Sequence, residues 1–421
     1  MQSTIAHDER PKIRRVPLWR NRDYMLLWSG QAVSLVGTGI SQTALPLLVW
    51  DLTHSAAQVG FVGGLGTLPY VFLSLVVGAL IDRWNRKQVM ILCDIGRALN
   101  LASVLAALAL GQLTVVQLYI NALIEGTLFV FFNLAEVACL PRVVAPEQLP
   151  AATAQNEATN GITMLLSPLL GGALYSLRQM LPFLSDTVSY VASVISLLFI
   201  KAEFQGARPL LRRKIRTDIG EGLGWLWRQP LIRYMAFLTG GNNFVSAGLI
   251  PILLVLVKQQ DGSSFLFGAI LAIGGVGAIV GSLLGPAIQK RFSFGQVIVA
   301  TTWIQALLWP LYAVAPNPIL LGVIAAASFI TGPIYNVVQF SYRLALIPDE
   351  LQGRVNSVFR LLAFGLQPLG WALTGLLIQT IQVVPTIMLL FVCLFALAVL
   401  TTMNRHVRHA ARLTAIPETK T

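Results

Sequence analysis

The sequence predicts an all-α polytopic membrane protein of twelve transmembrane helices in two parallel six-helix halves. Three observations carry this reading. The 421 residues are 55% hydrophobic and only 11% charged, whereas soluble domains average about 25% charged residues. Twelve apolar runs reach the length of a bilayer crossing, roughly 17–25 residues. The basic residues fall almost wholly on one side of those runs, which is how membrane proteins set their orientation.

The runs are 24–50, 56–81, 88–111, 114–138, 151–176, 181–200, 231–257, 264–289, 295–314, 317–345, 354–379 and 383–403. Short connectors separate most of them. The exception is a polar linker, 201–230, which carries Lys201, Arg208, Arg212, Arg213, Lys214, Arg216 and Arg228. The chain thus divides into a tail (1–23), a first half (24–200), the linker (201–230), a second half (231–403) and a tail (404–421). Its first 20 residues are polar and basic, without a short apolar region or an A-x-A site, so no removable signal is expected.

Orientation follows from Gly78-Ala-Leu-Ile-Asp82-Arg83-Trp-Asn85-Arg86-Lys87. So short and basic a turn lies in water, between the second and third crossings. With the N-terminus cytoplasmic, the outer connectors hold only Arg178 and Lys258 of the 30 Lys and Arg. Both termini are therefore expected in the cytoplasm. The same asymmetry accounts for the net charge of +12 without a nucleic-acid partner. Membrane lipids are the expected surroundings, and the basic linker can meet anionic headgroups.

The halves echo each other. Gly78-Ala-Leu-Ile-Asp82-Arg83 parallels Gly285-Pro-Ala-Ile-Gln289-Lys290-Arg291, and Asn133-Leu-Ala-Glu136 parallels Asn336-Val-Val-Gln339. Pro146-Glu-Gln-Leu149 parallels Pro348-Asp-Glu-Leu351, at an offset of about 200 residues throughout. Six crossings is an even number, so both halves start on one side and are related about the membrane normal.

The loop at Gly78, Leu80, Asp82, Arg83, Arg86 and Lys87 resembles the G-x-L-x-D-R-x-G-R-K signature of the major facilitator superfamily. Asn85 replaces the usual Gly, a residue that tolerates left-handed backbone. Leu18-Trp-Arg-Asn21-Arg22-Asp23-Tyr24, Ala44-Leu45-Pro46-Leu47, Leu184-Ser-Asp186 and Pro348-Asp-Glu-Leu-Gln-Gly353-Arg354 are similar to the macrolide-efflux and enterobactin-exporter branch. The likeness covers about residues 16–403. It implies a multi-pass transporter of the bacterial cytoplasmic (inner) membrane, working by alternating access as a monomer.

Candidate functional residues fall into three groups. The resemblance implies that Gly78, Asp82, Arg83, Arg86 and Lys87 form a latch locking the outward-facing state. Asp94 and Arg97 lie three apart on one helix face, where they can pair and brace it. Glu125, halfway along the fourth crossing, has no cation at helical spacing. It is the sharpest candidate for proton coupling or for attracting a cation, because an acid inside a membrane is costly and marks function by default. Glu157 and Asp94 are further proton-coupling candidates, and Glu136 is expected to reach water. Asp186 is read as a helix brace. The usual Arg of the drug-antiporter signature is absent from the fourth crossing.

Gly161, Ser167, Pro168, Gly171 and Gly172 resemble the antiporter signature G-P-x-x-G-G of exporters, with Ser167 in place of a Gly. Small residues there also serve plain helix packing. The second half has no Asp or Glu within its crossings. Its polar groups, Asn242, Asn243, Tyr335, Asn336, Gln339 and Arg360, join Gln31, Gln42 and Glu125 as substrate-cavity candidates or as interhelical glue.

No P-loop, H-E-x-x-H or G-x-S-x-G motif occurs, so no enzyme is expected and energy comes from a gradient. His7, His54, His406 and His409 make no metal pattern, and Cys93, Cys139 and Cys393 read as packing residues. No cofactor or metal is expected. The sequence reading is a proton-coupled exporter of a small amphipathic organic compound, such as a drug or a siderophore. A lysophospholipid translocator and a non-transporting sensor or scaffold are the alternatives.

Overall fold

Side-chain caps set many of the helix starts in the computed structural model, which describes residues 17–81, 83–202, 204, 215–348, 351–408 and 410. The first half contains α1 (Arg22–Thr53), α2 (Ala56–Ile81), α3 (Arg86–Ala109), α4 (Val115–Val143), α5 (Leu149–Leu177) and α6 (Leu181–Phe199). Asn21, Asn85 and Thr114 cap α1, α3 and α4 by accepting a backbone N–H three residues on. Asn85 is extended (φ −70°, ψ 108°). The expected left-handed residue is thus a helix cap, and its side-chain oxygen is what the position uses.

The linker carries α7 (Ile215–Arg228). In the second half three crossings are broken. The seventh is α8 (Pro230–Ala247) and α9 (Leu249–Gln259), parted at Gly248. The ninth, after α10 (Ser264–Arg291), is α11 (Phe294–Leu308) and α12 (Leu311–Val314), parted at Trp309–Pro310. After α13 (Pro318–Leu346), the eleventh is α14 (Gln352–Gly365) and α15 (Gln367–Ile381), parted just before Pro368. Then come α16 (Val383–Met403) and α17 (Arg405–Arg408). No strand occurs among the described residues.

Eleven of these segments are long and apolar enough to cross a membrane. Helix α5, at 29 residues, has the length, but its first half is polar through Gln155, Asn156, Glu157 and Asn160. Bare apolar side chains such as Leu92, Val188, Leu283 and Ile319 clothe the outside, as a lipid-facing surface requires.

Burial is organised in three clusters. One joins both halves, with Leu47, Val59 and Tyr175 packed alongside Ile252, Phe267 and Ile378. The other two stay within one half each, around Met90, Val130 and Cys139 and around Met235, Val338 and Phe359. The shared cluster lies at the end farther from the described termini. The separate ones lie at the terminal end. The two halves therefore meet at one end and part at the other.

Two glycine seams make the meeting close. Helices α2 and α15 touch at Gly60 and Gly375, and α5 and α10 at Gly172 and Gly268. A Cβ on Gly60 would lie 2.5 Å from the Trp371 carbonyl oxygen, and one on Gly268 2.2 Å from that of Pro168. The equivalent pairs show the duplication in space. Beside the seams, Asp51 of α1 takes Lys258 of α9 at 3.4 Å and the Tyr175 hydroxyl at 2.9 Å. At the terminal end Gly78 and Gly353 face open space.

The basic loop holds its own half together in this conformation. Arg86 donates to the Ala138 carbonyl at 2.8 Å, and Lys87 to that of Ile200 at 2.7 Å. Both cations approach the C-terminal ends of helices, where the dipole favours them. Arg83 is exposed. Asp82 lies outside the described residues, as do most of both tails.

Candidate functional site

Arg97, on α3, is only 3% exposed and is the hub of a charged cluster inside the first half. The sequence expectation that it pairs with Asp94 is corrected. Its Nη2 lies 2.5 Å and its Nε 2.6 Å from Oε1 of Glu125 on α4. The expectation that Glu125 lacks a cation falls with it. The partner comes from the neighbouring helix, and a rule confined to spacing along one helix cannot see it.

Helices α1 and α6 complete the arrangement. The Tyr190 hydroxyl on α6 donates to Glu125 Oε1 at 2.9 Å and lies 2.9 Å from Thr38 Oγ1 on α1. Arg97 Nη2 donates to Thr38 Oγ1 at 3.3 Å, and the guanidinium lies over the Tyr190 ring at 4.3 Å. The hydrogen bonds close a ring through Arg97, Thr38, Tyr190 and Glu125, and such rings polarise one another in a low-dielectric interior. Oε2 of Glu125 is buried without a partner.

Two further acids flank the ring. Asp186, one helical turn before Tyr190, is fully buried and accepts the hydroxyls of Ser41 on α1 and Ser189. It braces α6 against α1, where Gly37 leaves room for it. Asp94 is fully buried, and neither of its oxygens has a hydrogen-bond partner. Ser193, Arg97 and Glu125 surround it. Among the described residues Arg97 is the one cation of this cluster, set against three carboxyl groups.

Two cavities adjoin the cluster, and a third lies beyond it. The first, about 460 Å³, lies between the halves. Gln42, Tyr70 and Phe129 form one wall, and Phe364, Gln367 and Trp371 the other. Glu125 is the one charged residue in its lining. The second, also about 460 Å³, belongs to the first half, between α1, α4 and α5, with Arg97 at its inner wall. Gln31, Glu136, Asn156 and Glu157 line it. Phe129 stands between the two and borders both. The third, about 360 Å³, lies between α1, α5, α10 and α13 and takes in Gln42, Ser167 and Pro168.

The exporter-like residues of α5 make the helix contacts behind that third cavity. Ser167 donates to the Val36 carbonyl, Gly171 abuts Ile40 and Thr43 of α1, and Gly172 abuts Gly268 of α10. Gly161 has only Ile279 nearby.

The second-half candidates lie elsewhere. Asn242, Asn243, Tyr335, Asn336 and Gln339 line none of the three cavities. Asn243 donates to the Ala363 carbonyl and Tyr335 bonds Thr239 within the second half. Gln339 is buried and Asn336 is exposed. Arg360 is exposed and lies over the ring of Tyr70, 5.4 Å from its centroid, at the edge of the central cavity. Sequence reasoning missed Thr38, Tyr190, Tyr70, Phe129 and Trp371. Only Tyr190 carried a signal, its one-turn spacing from Asp186.

The comparisons agree with this architecture. The family described as transmembrane secretion effector matches residues 16–420. The multidrug efflux pump Tap of Mycolicibacterium fortuitum is 27% identical over 354 residues, 80% of this chain and 85% of that protein. Macrolide efflux protein A of Streptococcus pyogenes is 25% identical over 379 residues, 87% of this chain and 91% of that protein. The fold resembles the crystal structure of the nucleoside transporter NupG (TM-score 0.71, 15% identity, 91% of this chain and 98% of that one). It also resembles an inward-facing bacterial homologue of the iron transporter ferroportin (TM-score 0.73, 15% identity, 92% and 99%). With the family match spanning nearly the whole length, the chain belongs to the transmembrane secretion effector family, in the macrolide-efflux branch of the major facilitator superfamily of membrane transporters.

Proposed function

We propose that this protein exports amphipathic organic compounds, drugs among them, across the bacterial inner membrane in exchange for protons. The observation that carries the reading is the one-ended contact of the halves over a central cavity. Such a cavity opens to one side at a time if the halves rock. Read with both termini cytoplasmic, as the charge asymmetry of the connectors supports, the described conformation is open inward. The names of the Tap and macrolide efflux relatives support export as the direction.

The moving bodies in this reading are the halves 24–200 and 231–403, tethered by the linker 201–230. Loop 82–87 serves as the latch that meets the second half when the terminal end closes. Glu125 is the proton-coupling residue. It lines the central cavity and holds Arg97, so a proton on its carboxylate cancels the ion pair and frees the guanidinium towards Asp94 or Asp186. A change in the wall of the cavity thus becomes a change in how α1, α3, α4 and α6 are held.

Everted membrane vesicles test this. A pH gradient, acidic inside, is expected to drive drug into wild-type vesicles. Glu125→Gln is expected to bind drug and to lose gradient-driven accumulation. Uptake that ignores the gradient in the wild type, or that survives in Glu125→Gln, contradicts the coupling.

A further inference from the structure

The second cavity has a feature the coupling scheme does not use. Glu136, on α4, faces it and makes no hydrogen bond or ion pair among the described residues. The cavity's one cation, Arg97 at its inner wall, is already held by Glu125 at 2.5 Å. The remaining charged wall residue, Glu157, has the same sign, as does Asp94 behind the wall. Glu136 is half-buried, and its carboxylate lacks a counter-charge among the described residues; a charge partly withdrawn from water without one is costly.

The rest of the wall suits a particular guest. Trp28, Phe129 and Phe132 offer aromatic faces, while Gln31, Asn133 and Asn156 offer amides. Nε2 of Gln31 is buried without an acceptor. Aromatic faces and a carboxylate together recognise a cation carrying apolar groups. Amides add hydrogen bonds that fix its orientation. The volume, about 460 Å³, falls within the usual range of ligand sites.

We propose that this first-half cavity binds an amphipathic organic cation, with Glu136 as its counter-charge. The inference rests on the export reading for its role, as the place where cargo is held before it reaches the central cavity. The central cavity differs in kind, since its one carboxylate is already neutralised by Arg97. An acid without a counter-charge is thus offered by the first-half cavity, while the lining of the inter-half cavity is mostly apolar.

Two ions of the same shape and opposite charge test it: tetraphenylphosphonium and tetraphenylborate. Their binding to the purified full-length protein is measured by equilibrium dialysis against detergent micelles, with micelle uptake subtracted. The wild type is expected to prefer the phosphonium. Glu136→Gln is expected to weaken phosphonium binding about tenfold, leaving borate binding unchanged. Glu136→Asp, which keeps the charge, should restore most of the preference and shows that the loss is not misfolding. Equal preference in Glu136→Gln and wild type overturns the proposal, as does a wild type that binds neither ion. Charge-selective binding through Glu136 without gradient-driven uptake in vesicles would leave the site standing and remove the export reading. The converse pattern would do the opposite.

Discussion

Arg97→Ala is expected to abolish transport and to destabilise the protein by about 3–5 kcal/mol, the cost of breaking one side of a buried ion pair. The effect is large because Arg97 is shared. It neutralises Glu125, donates to Thr38 and lies over the Tyr190 ring. Without it, Asp94, Glu125 and Asp186 face one another without a cation. Thermal unfolding in detergent should show the loss as a much lower midpoint. The double change Arg97→Leu with Glu125→Leu separates stability from function. Replacing a buried pair by apolar residues is often neutral, so the double variant should regain most of its stability while remaining inactive. A stable Arg97→Ala variant, or an active double variant, contradicts the role given to the pair.

The second large effect is expected at the glycine seam. Gly268→Val places a Cβ 2.2 Å from the Pro168 carbonyl oxygen and 3.0 Å from the Gly172 Cα. Both neighbours are backbone, so no side chain can swing away. Overpacking of this kind costs about 1–3 kcal/mol. The cost applies only when the far end is closed, so it shifts the population of conformations instead of unfolding the protein. At about tenfold per 1.4 kcal/mol, the far end should open by a factor of about 5 to 150. Spin labels on the outer ends of α5 and α10 should report a longer distance in Gly268→Val, with export reduced. An unchanged distance distribution would mean that the seam does not control closure.

Much of the fold was legible because the bilayer imposes one simple rule on length and polarity. The runs at 56–81 and 383–403 are the observed α2 and α16 to the residue. Breaks within crossings were harder. Gly248, Trp309–Pro310 and Leu366 interrupt apolar runs whose composition hardly changes across the break. Prolines do not announce a break either, since Pro46, Pro69 and Pro286 lie inside continuous helices.

The site was legible in its residues and not in its partnerships. Glu125 stood out as an acid in lipid, yet its counter-ion lies 28 positions away on the preceding, antiparallel helix. Sequence spacing reports neighbours along a helix, and this cluster is built across four. The second-half amides were unreadable for another reason. A helix packed against protein on one side and lipid on the other is apolar all round, so periodicity does not say which way Asn242 or Gln339 turns. Asn85 shows the same limit at a smaller scale, because Asn favours both left-handed turns and helix caps.

The central claim is that the cavity between the halves opens to each side in turn. It is tested by a single cysteine at Gln367, on the second-half wall of that cavity, in a protein whose Cys93, Cys139 and Cys393 have been replaced. A membrane-impermeant maleimide is applied from either side of reconstituted vesicles, with and without a proton gradient. At rest, labelling is expected only from the side carrying the termini. Under the gradient with drug present, labelling from the opposite side should rise while the first falls. Labelling from one side under every condition would contradict the account and leave a rigid membrane scaffold.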